Sequence, residues 1–172
     1  MKARLLMTAV LAALLTLPCI DLNAQSNQRK PVYDDSLDPL EQIEKAVVQA
    51  HNSGKFLICQ VGGNWCPWCL LFADFISQDE EIMNFINENF VYIHVNNQLK
   101  NAEGKNVPCT AAMARLGNPG RFGYPVFVVL DSDDKVLHFQ DSSYLEEGRG
   151  YNKSKVMRFF KNWTPAAVNG AK

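Results

Sequence analysis

The sequence predicts an α/β fold with a central mixed β-sheet flanked by helices. Over the first two thirds of the chain, short apolar runs of strand length alternate with segments of helical periodicity. Two later strand-like runs, 125–130 and 135–140, are separated only by the turn-forming segment 131–134. Alternating strands and helices favour parallel strand pairs, whereas a hairpin adds an antiparallel pair. The sheet is therefore expected to contain strands of both orientations.

The first helix has clear start and stop signals. Asp38 is the predicted N-cap, Pro39 takes the first helical position, and Glu41 is the predicted capping-box partner. Gly54 is expected to end the helix. Its apolar face recurs at helical spacing and comprises Leu40, Ile43, Val47 and Ala50.

The middle of the chain alternates between strand and helix signals. Residues 56–61 form a short apolar run that predicts a central strand, and 66–76 predict a helix. Residues 77–80 match a second capping box, which should break the chain and restart it as another helix. A further strand is predicted at 91–95.

The second half continues with a helix at 107–116 and a loop rich in turn formers at 118–124. The two strands of the hairpin follow. An amphipathic helix is predicted at 151–163, and the tail 164–172 is expected to be frayed.

Composition excludes several classes of protein. The chain has 172 residues, is 47% hydrophobic and 20% charged, and carries a net charge of −1. Such a balance gives no reason to expect nucleic acid as a partner. Ten glycines and eight prolines are too few for a fibrous or disordered chain. One globular domain with short extensions is expected.

The N-terminus predicts an export signal. Lys2 and Arg4 precede an apolar segment at 5–17, which is too short to span a bilayer comfortably, and Ala24 is a plausible last residue before cleavage. The predicted organisation is a signal peptide at 1–24, a linker or mobile arm at 25–37, a domain at 38–163 and a tail at 164–172. The protein is therefore expected to lie outside the cytosol, which in a bacterium means the periplasm.

Two alternatives to a cleaved signal remain open. The apolar segment could stay as an uncleaved membrane anchor. Cys19 could instead accept a lipid, although the preceding Leu17 and Pro18 are not the small residue expected before a lipidated cysteine. The simpler interpretation is that Cys19 leaves with the signal peptide.

Chemistry is concentrated in the stretch Trp65-Cys66-Pro67-Trp68-Cys69. Two cysteines three positions apart share one side of a helix's first turn, so their sulfurs lie within disulfide reach. The stretch falls where a predicted strand hands over to a predicted helix, which is the position of a thioredoxin-like redox motif. A helix N-terminus stabilises the thiolate that performs thiol chemistry. Cys66, expected to be partly exposed, is the predicted attacking cysteine, and the more buried Cys69 is the predicted resolving cysteine.

A second motif strengthens the resemblance. Gly123-Tyr124-Pro125 opens the strand that follows about 55 residues after the Cys-x-x-Cys stretch. Over residues 38–163 the order of elements and both motifs resemble the thioredoxin-like superfamily. The resemblance implies a three-layer fold with a central mixed sheet, and a cis peptide bond at Pro125 facing the two cysteines. It also implies a thiol-disulfide oxidoreductase that needs no bound cofactor or metal, and the predicted signal peptide makes it an exported one.

Five residues are expected to support the two cysteines and to dock the substrate. Trp65 should pack beside Cys66, Trp68 should add exposed aromatic surface, and Pro67 suits the first helical turn. The backbone at Tyr124 and Pro125 should pair with an extended substrate.

Gln60 departs from the pattern of the superfamily. Members with thioredoxin-type activity often carry a buried carboxylate six residues before the first active cysteine. A glutamine cannot take a proton from the resolving thiol. Asp74 and His138 are possible substitutes, and the preferred interpretation of Gln60 is a hydrogen-bonded strand residue without a catalytic part.

The predicted partners are proteins with thiols or disulfides, together with a membrane redox protein for recycling. The sequence does not set the direction of electron flow, although a reductase or isomerase is favoured over an oxidase. The main alternative is a metal-binding or metal-delivery protein in which the two thiolates hold Cu(I) or Zn, but that site needs further ligands. Cys59 is expected to be an inert buried thiol. Cys109 could be activated by a helix start or could pair with Cys59.

Overall fold

The computed structural model describes residues 29–170. The strands are β1 (Phe56–Gly62), β2 (Phe90–Asn96), β3 (Gln98–Lys100), β4 (Asn106–Pro108), β5 (Val126–Leu130), β6 (Val136–Asp141), β7 (Glu146–Glu147) and β8 (Gly150–Tyr151). The helices are α1 (Pro39–Ser53), α2 (Pro67–Ser77), α3 (Glu80–Asn89), α4 (Thr110–Arg115), α5 (Lys153–Asn162) and α6 (Pro165–Asn169). Two short 3₁₀ turns span Pro119–Phe122 and Ser142–Leu145.

The central sheet contains four strands in the order β2-β1-β5-β6. β1 runs parallel to β2 and antiparallel to β5, and β5 pairs antiparallel with β6. The predicted mixed sheet is therefore confirmed, and the predicted hairpin is its β5–β6 edge.

Helices cover both faces of the sheet, which makes three layers. On one face α2, α3 and α5 enclose a core of alternate β1 and β5 side chains together with helical ones: Phe56, Ile58, Phe72, Ile82, Phe127, Val129 and Phe160. On the other face α1 and α4 cover the intervening side chains, which include Ile43, Leu57, Cys59, Val61, Val126, Val128 and Leu116. Because successive strand residues point to opposite faces, Gln60 lies on the same face as Ile58, toward α2.

α1 begins and ends as predicted. The Asp38 carboxylate accepts hydrogen bonds from the backbone N–H groups of Leu40 and Glu41 at 2.9 and 3.0 Å. Gly54 ends the helix with φ 65°, a left-handed conformation that favours glycine. The Glu41 side chain does not complete the predicted capping box, because its Oε2 accepts from Lys45 Nζ one turn later at 3.3 Å.

The chain restarts between α2 and α3, but the predicted cap is wrong. Ser77 is the last residue of α2, and its hydroxyl donates to the Asp74 carbonyl at 3.0 Å. Asp79 caps α3 instead, since its carboxylate accepts from the N–H groups of Glu81 and Ile82. The Lys153 ammonium, 2.7 Å from Asp79, holds the pKa of that carboxyl below its usual value.

The helix predicted at 107–116 is too long. Residues 98–100 and 106–108 form a small hairpin, and α4 starts only at Thr110. Gly104 supplies the tight turn with φ 74°, and the Asn101 side chain accepts from the Glu103 and Lys105 N–H groups. The apolar residues of this segment fit a short helix as well as a short hairpin. The turn around Gly104 makes the segment before α4 a hairpin.

The C-terminal prediction also needs correction. α5 begins at Lys153 because Tyr151 belongs to β8 and Asn152 caps the helix. The tail predicted to be frayed contains α6, whose N-cap Thr164 accepts from the Ala167 N–H at 3.1 Å.

The predicted signal peptide at 1–24 and the candidate lipid site Cys19 lie outside the described residues. Among the helices of residues 29–170, none has the length and apolar character needed to cross a bilayer.

Candidate active site

Cys66 and Cys69 form a disulfide at the N-terminus of α2, with their Cα atoms 5.2 Å apart. Cys66 is the N-cap of the helix, and its Sγ accepts a hydrogen bond from the Cys69 N–H at 3.2 Å. Pro67 takes the first helical position, where its missing N–H costs nothing. The prediction that two cysteines three positions apart lie within disulfide reach is thus confirmed. In the reduced protein, the N–H groups of this helix end would stabilise a thiolate on Cys66.

The two cysteines differ little in exposure. Cys69 is fully buried and Cys66 is only 4% exposed, so the expectation of a partly exposed Cys66 is wrong for the disulfide form. The exposed neighbours of the sulfur are instead Pro67 and Trp65, and half of the Trp65 surface is accessible. A substrate therefore meets an aromatic surface before it meets the attacking sulfur.

The strand-opening motif lies beside this surface. The Tyr124–Pro125 peptide bond is cis, as the resemblance implied, and Pro125 is buried. The Tyr124 ring meets the Trp65 ring edge to face, with centroids 5.6 Å apart. These contacts bring the loop before β5 to the active-site helix.

Trp68 is less exposed than predicted. Its ring packs edge to face against Tyr151 at 5.6 Å, and the Tyr151 hydroxyl donates to the Trp68 carbonyl at 3.2 Å. Trp68 is thus partly buried against the core on the α2 side, and Trp65 is the more exposed aromatic residue of the motif.

A segment predicted to be part of a linker packs on the site. Residues 31–35, here called the arm, run beside the Cys-x-x-Cys loop. The Asn64 Oδ1 accepts from the Val32 and Tyr33 N–H groups at 3.0 and 3.1 Å, and Asn64 Nδ2 donates to the Tyr33 carbonyl at 2.7 Å. Tyr33 is only 3% exposed and forms one apolar cluster with Cys66 and Cys69. Sequence reasoning missed it, and the apolar pair Val32-Tyr33 within a polar stretch was the available signal.

Gln60 is the centre of a buried hydrogen-bond network behind Cys69. Its Nε2 donates to the Cys69 carbonyl at 3.0 Å and to the Tyr33 hydroxyl at 2.8 Å. Its Oε1 accepts from the Tyr92 hydroxyl at 2.6 Å. The Cys69 carbonyl can only accept a hydrogen bond, so the Gln60 amide atom facing it must be the nitrogen, which fixes the orientation of that amide. Gln60 is therefore the hydrogen-bonded strand residue that the sequence favoured.

The groups around this network are neutral. Burial raises the pKa of the Tyr33 and Tyr92 hydroxyls, so both stay protonated. Burial lowers the pKa of His94 to about 4. The His94 ring lies edge to face with Tyr33 at 5.2 Å, and its Nε2 has no hydrogen-bond partner among residues 29–170. Cys69 thus borders polar but uncharged groups.

Comparison with known proteins places the chain. A family model described as Thioredox_DsbH, protein of unknown function, DUF255, matches residues 23–166. The chain belongs to this Thioredox_DsbH family. Among solved structures, a disulphide isomerase from Xylella fastidiosa Temecula1 is 22% identical, with 76% of this chain and 94% of that chain covered and a TM-score of 0.62. This likeness shows a thioredoxin-like fold.

A thioredoxin-fold protein from Helicobacter pylori is 13% identical, with 73% of this chain and 98% of that chain covered and a TM-score of 0.38. No curated protein matches the chain significantly.

The two predicted substitutes for a buried carboxylate are engaged elsewhere in the Thioredox_DsbH domain. Asp74 forms an ion pair with Arg29 at 3.3 Å, and about a third of each side chain is exposed. His138 stacks on Trp163 at 4.4 Å and shares a hydrogen bond with Gln140. The structure therefore does not bring either residue into the Gln60 network.

The remaining cysteines of the domain are free thiols. Cys59 is fully buried on the α1 side of the sheet, and burial raises its pKa. Cys109 is half-buried at the start of α4, and burial raises its pKa as well. The possible Cys59–Cys109 disulfide is not formed, and the raised pKa of Cys109 argues against activation by the helix start.

A metal site at the two thiolates would need additional ligands. Within residues 29–170, no three His, Cys, Asp or Glu side chains are grouped so as to hold a metal ion. The arrangement of Cys66 and Cys69 fits dithiol–disulfide chemistry without a third group.

Proposed function

We propose that this Thioredox_DsbH protein is an exported thiol-disulfide oxidoreductase that exchanges disulfides with protein thiols. The observation that carries the proposal is the Cys66–Cys69 disulfide at the N-terminus of α2. Both sulfurs reach each other from regular helical geometry, so the pair can cycle between dithiol and disulfide without moving the backbone far.

Cys66 is the attacking cysteine in this proposal. As a thiolate it attacks one sulfur of a substrate disulfide and releases the other substrate sulfur as a thiolate. Cys69 then attacks the Cys66 sulfur, which breaks the mixed disulfide and leaves the Cys66–Cys69 disulfide. Two electrons pass from the protein to the substrate. The same steps in reverse oxidise a substrate dithiol.

The substrate surface consists of Trp65 and the loop before β5. The half-exposed Trp65 ring and the adjacent Tyr124 offer apolar area to an unfolded or extended polypeptide. The backbone at Tyr124 and Pro125 offers hydrogen-bonding groups for a short strand-like pairing. Pro67 and Trp68 complete the rim of the site.

The proposed cellular location and partners of the protein rest on its disulfide chemistry and on the predicted signal peptide. Disulfides persist outside the cytosol, where an exported enzyme of this kind has substrates, and the predicted signal peptide supports periplasmic export. Recycling requires an electron donor for a reductase or an acceptor for an oxidase, and a membrane redox protein is the proposed partner. We favour a reductase or an isomerase over an oxidase. The protein's own two sulfurs carry the electrons, so the proposed reaction uses no bound cofactor.

A glutathione redox titration of the mature domain tests the function. Tryptophan fluorescence should report a reversible two-electron transition, since Trp65 and Trp68 flank the sulfurs. A midpoint well below the glutathione couple would favour a reductase, and one near or above it an isomerase or oxidase. The transition should be absent in Cys66→Ser. A protein that shows no reversible transition would contradict the proposal.

The two cysteines should behave differently in a trapping experiment. Cys69→Ser should accumulate a mixed disulfide between Cys66 and a substrate protein, because the resolving sulfur is gone, whereas Cys66→Ser should not. Mass spectrometry after acid quenching measures the adduct. Cys59→Ser is the matched control, since its thiol is buried away from the site, and it should leave the adduct level of the Cys69→Ser protein unchanged.

A further inference from the structure

We propose that the Tyr33 hydroxyl donates a hydrogen bond to the Cys69 sulfur once that sulfur leaves the disulfide, and so promotes ionisation of the resolving thiol. The proposal rests on the proposed function and assigns a role to a residue outside both sequence motifs. It gives the site a neutral donor in a region where related proteins often use a buried carboxylate.

The first step of the argument is an inventory of protons. A tyrosine hydroxyl has one proton to donate and can accept as well. Tyr33 Oη accepts from Gln60 Nε2, and the direction of that bond is fixed because the same Nε2 also donates to the Cys69 carbonyl. Among the hydrogen bonds within residues 29–170, Tyr33 Oη takes part as the acceptor from Gln60 Nε2 and in none as a donor. The Tyr33 proton is therefore free to be donated.

The second step is proximity. A Cβ placed on Gly62 would overlap Cys69 Sγ and would lie 2.9 Å from Tyr33 Oη. The Cys69 sulfur and the Tyr33 oxygen thus border the same small space beside β1. Both residues are buried, so water does not compete freely for the hydroxyl proton. In the disulfide, sulfur is a weak acceptor, whereas a thiolate is a strong one.

The third step is that Tyr33 can act only as a donor. Burial raises its pKa, so the hydroxyl remains protonated at the pH where thiols ionise. Tyr33 therefore does not remove the Cys69 proton. It lowers the free energy of the thiolate after the proton has passed to solvent.

The reaction step then balances as follows. Cys69 loses its proton to solvent, and the thiolate, with the Tyr33 hydrogen bond, attacks Cys66 Sγ of the mixed disulfide. The Cys66–Cys69 bond forms, the bond between Cys66 and the substrate breaks, and the substrate sulfur leaves as a thiolate. No further oxidant or reductant is required.

Few other groups around Cys69 ionise in the pH range of the test. The arm contributes Tyr33, β2 contributes Tyr92 and His94, β8 contributes Tyr151, and the loop before β5 contributes Tyr124. Burial raises the pKa of Tyr92 and Tyr151 and lowers that of His94 to about 4. These three side chains are therefore neutral at the pH values where a thiol ionises. The charged residue of α2 is Asp74, whose side chain is about a third exposed and forms an ion pair with Arg29, two residues before the arm.

The test is Tyr33→Phe, which keeps the packed ring and removes the hydroxyl. Reduced protein is mixed with a chromogenic aromatic disulfide. The first released thiolate reports attack by Cys66, and the second reports resolution by Cys69. We expect the second phase to slow by about tenfold or more below the Cys69 pKa, while the first phase changes little. At high pH the two proteins should converge, because Cys69 then ionises without help. A second phase equal to that of the unaltered protein at every pH would overturn the proposal.

Two control variants separate the hydroxyl from its surroundings. Tyr144→Phe removes a hydroxyl from a side chain that is 73% exposed, and both phases should be unchanged. Tyr92→Phe removes the other hydroxyl bound to Gln60, and its effect on the second phase should be smaller than that of Tyr33→Phe. Equal slowing in Tyr92→Phe would show that the network as a whole acts, and would overturn the assignment to Tyr33.

A measurement that needs no change at Tyr33 keeps the proposal testable if Tyr33→Phe folds poorly. In Cys66→Ala, with tyrosine labelled with ¹³C at Cζ, the Tyr33 signal should shift with the same midpoint as ionisation of Cys69. A Tyr33 signal that stays constant through that titration would refute the hydrogen bond. Because this experiment does not depend on exchange activity, it distinguishes failure of this inference from failure of the proposed function, which the glutathione titration tests.

Discussion

Gln60 shows how a single buried amide can satisfy several groups at once. It bonds the Cys69 carbonyl, the Tyr33 hydroxyl and the Tyr92 hydroxyl, and it is fully buried. A carboxylate at the same position would have to be desolvated, which is costly without a charged partner. The amide avoids that cost, but it cannot accept a proton from Cys69.

We expect Gln60→Leu to destabilise the fold by about 3 kcal/mol, because the Cys69 carbonyl and the Tyr33 and Tyr92 hydroxyls would each lose a hydrogen bond. Urea unfolding followed by circular dichroism measures the loss. Gln49→Leu, on the exposed side of α1, is the control and should change the free energy of unfolding little. A Gln60→Leu protein as stable as the original would mean that water or another side chain replaces the amide.

At the scale of elements, the arm is the unusual part. It has almost no regular structure, yet it is fastened by the side chains of two asparagines. Asn64 binds the backbone at Val32 and Tyr33, and Asn96 Nδ2 donates to the Asp34 carbonyl at 3.1 Å and to the Asp35 carboxylate at 3.2 Å. Because Asn64 immediately precedes Trp65, the arm and the redox motif are linked through one residue.

Asn64→Ala should release the arm without unfolding the sheet. The Val32 and Tyr33 amides lose their acceptor, so their hydrogen exchange should accelerate by about tenfold or more, while β1 and β5 amides stay protected. Exchange followed by NMR provides the measurement. Asn89→Ala serves as the comparison, since Asn89 Nδ2 donates to the Phe85 carbonyl of its own helix. Unchanged exchange at Val32 and Tyr33 in Asn64→Ala would show that packing alone holds the arm.

Local signals also explain which elements the sequence predicts well. α1 and β1 follow from a cap and from an apolar run that need no knowledge of distant residues. The β3–β4 hairpin and α6 were missed because each is very short, and their stability depends on a single turn or cap. The redox pair was predictable because both sulfurs lie in one helical turn. Tyr33 was not, because its contact with Cys69 spans 36 positions of the sequence.

For the whole molecule, the buried His94 predicts sensitivity to acid. Its pKa is about 4 in the folded protein and near 6.5 when unfolded, so the unfolded state binds more protons between these values. The contribution of neutral His94 to the free energy of unfolding is thus fully present above the unfolded-state pKa, and it is lost as the pH falls toward 4. We expect the free energy of unfolding to drop by about 2 kcal/mol from pH 7.5 to pH 5 on this account.

His94→Phe should flatten this part of the pH dependence, because phenylalanine keeps the ring contacts and does not titrate. Urea unfolding at several pH values measures the slope. His51→Gln is the control, since His51 is exposed on α1, and it should retain the full slope. An equal slope in His94→Phe would assign the acid sensitivity to other groups.

Because Gly62 has no side chain, its position limits which substitutions this protein can tolerate during evolution. Any larger residue there would compete for space with the Cys69 sulfur and the Tyr33 hydroxyl. A single base change converts a glycine codon to an alanine codon, so this position lies one step from a variant that keeps every cysteine and still spoils the geometry of the pair. Selection for the redox pair would therefore act on a residue that takes no part in the chemistry.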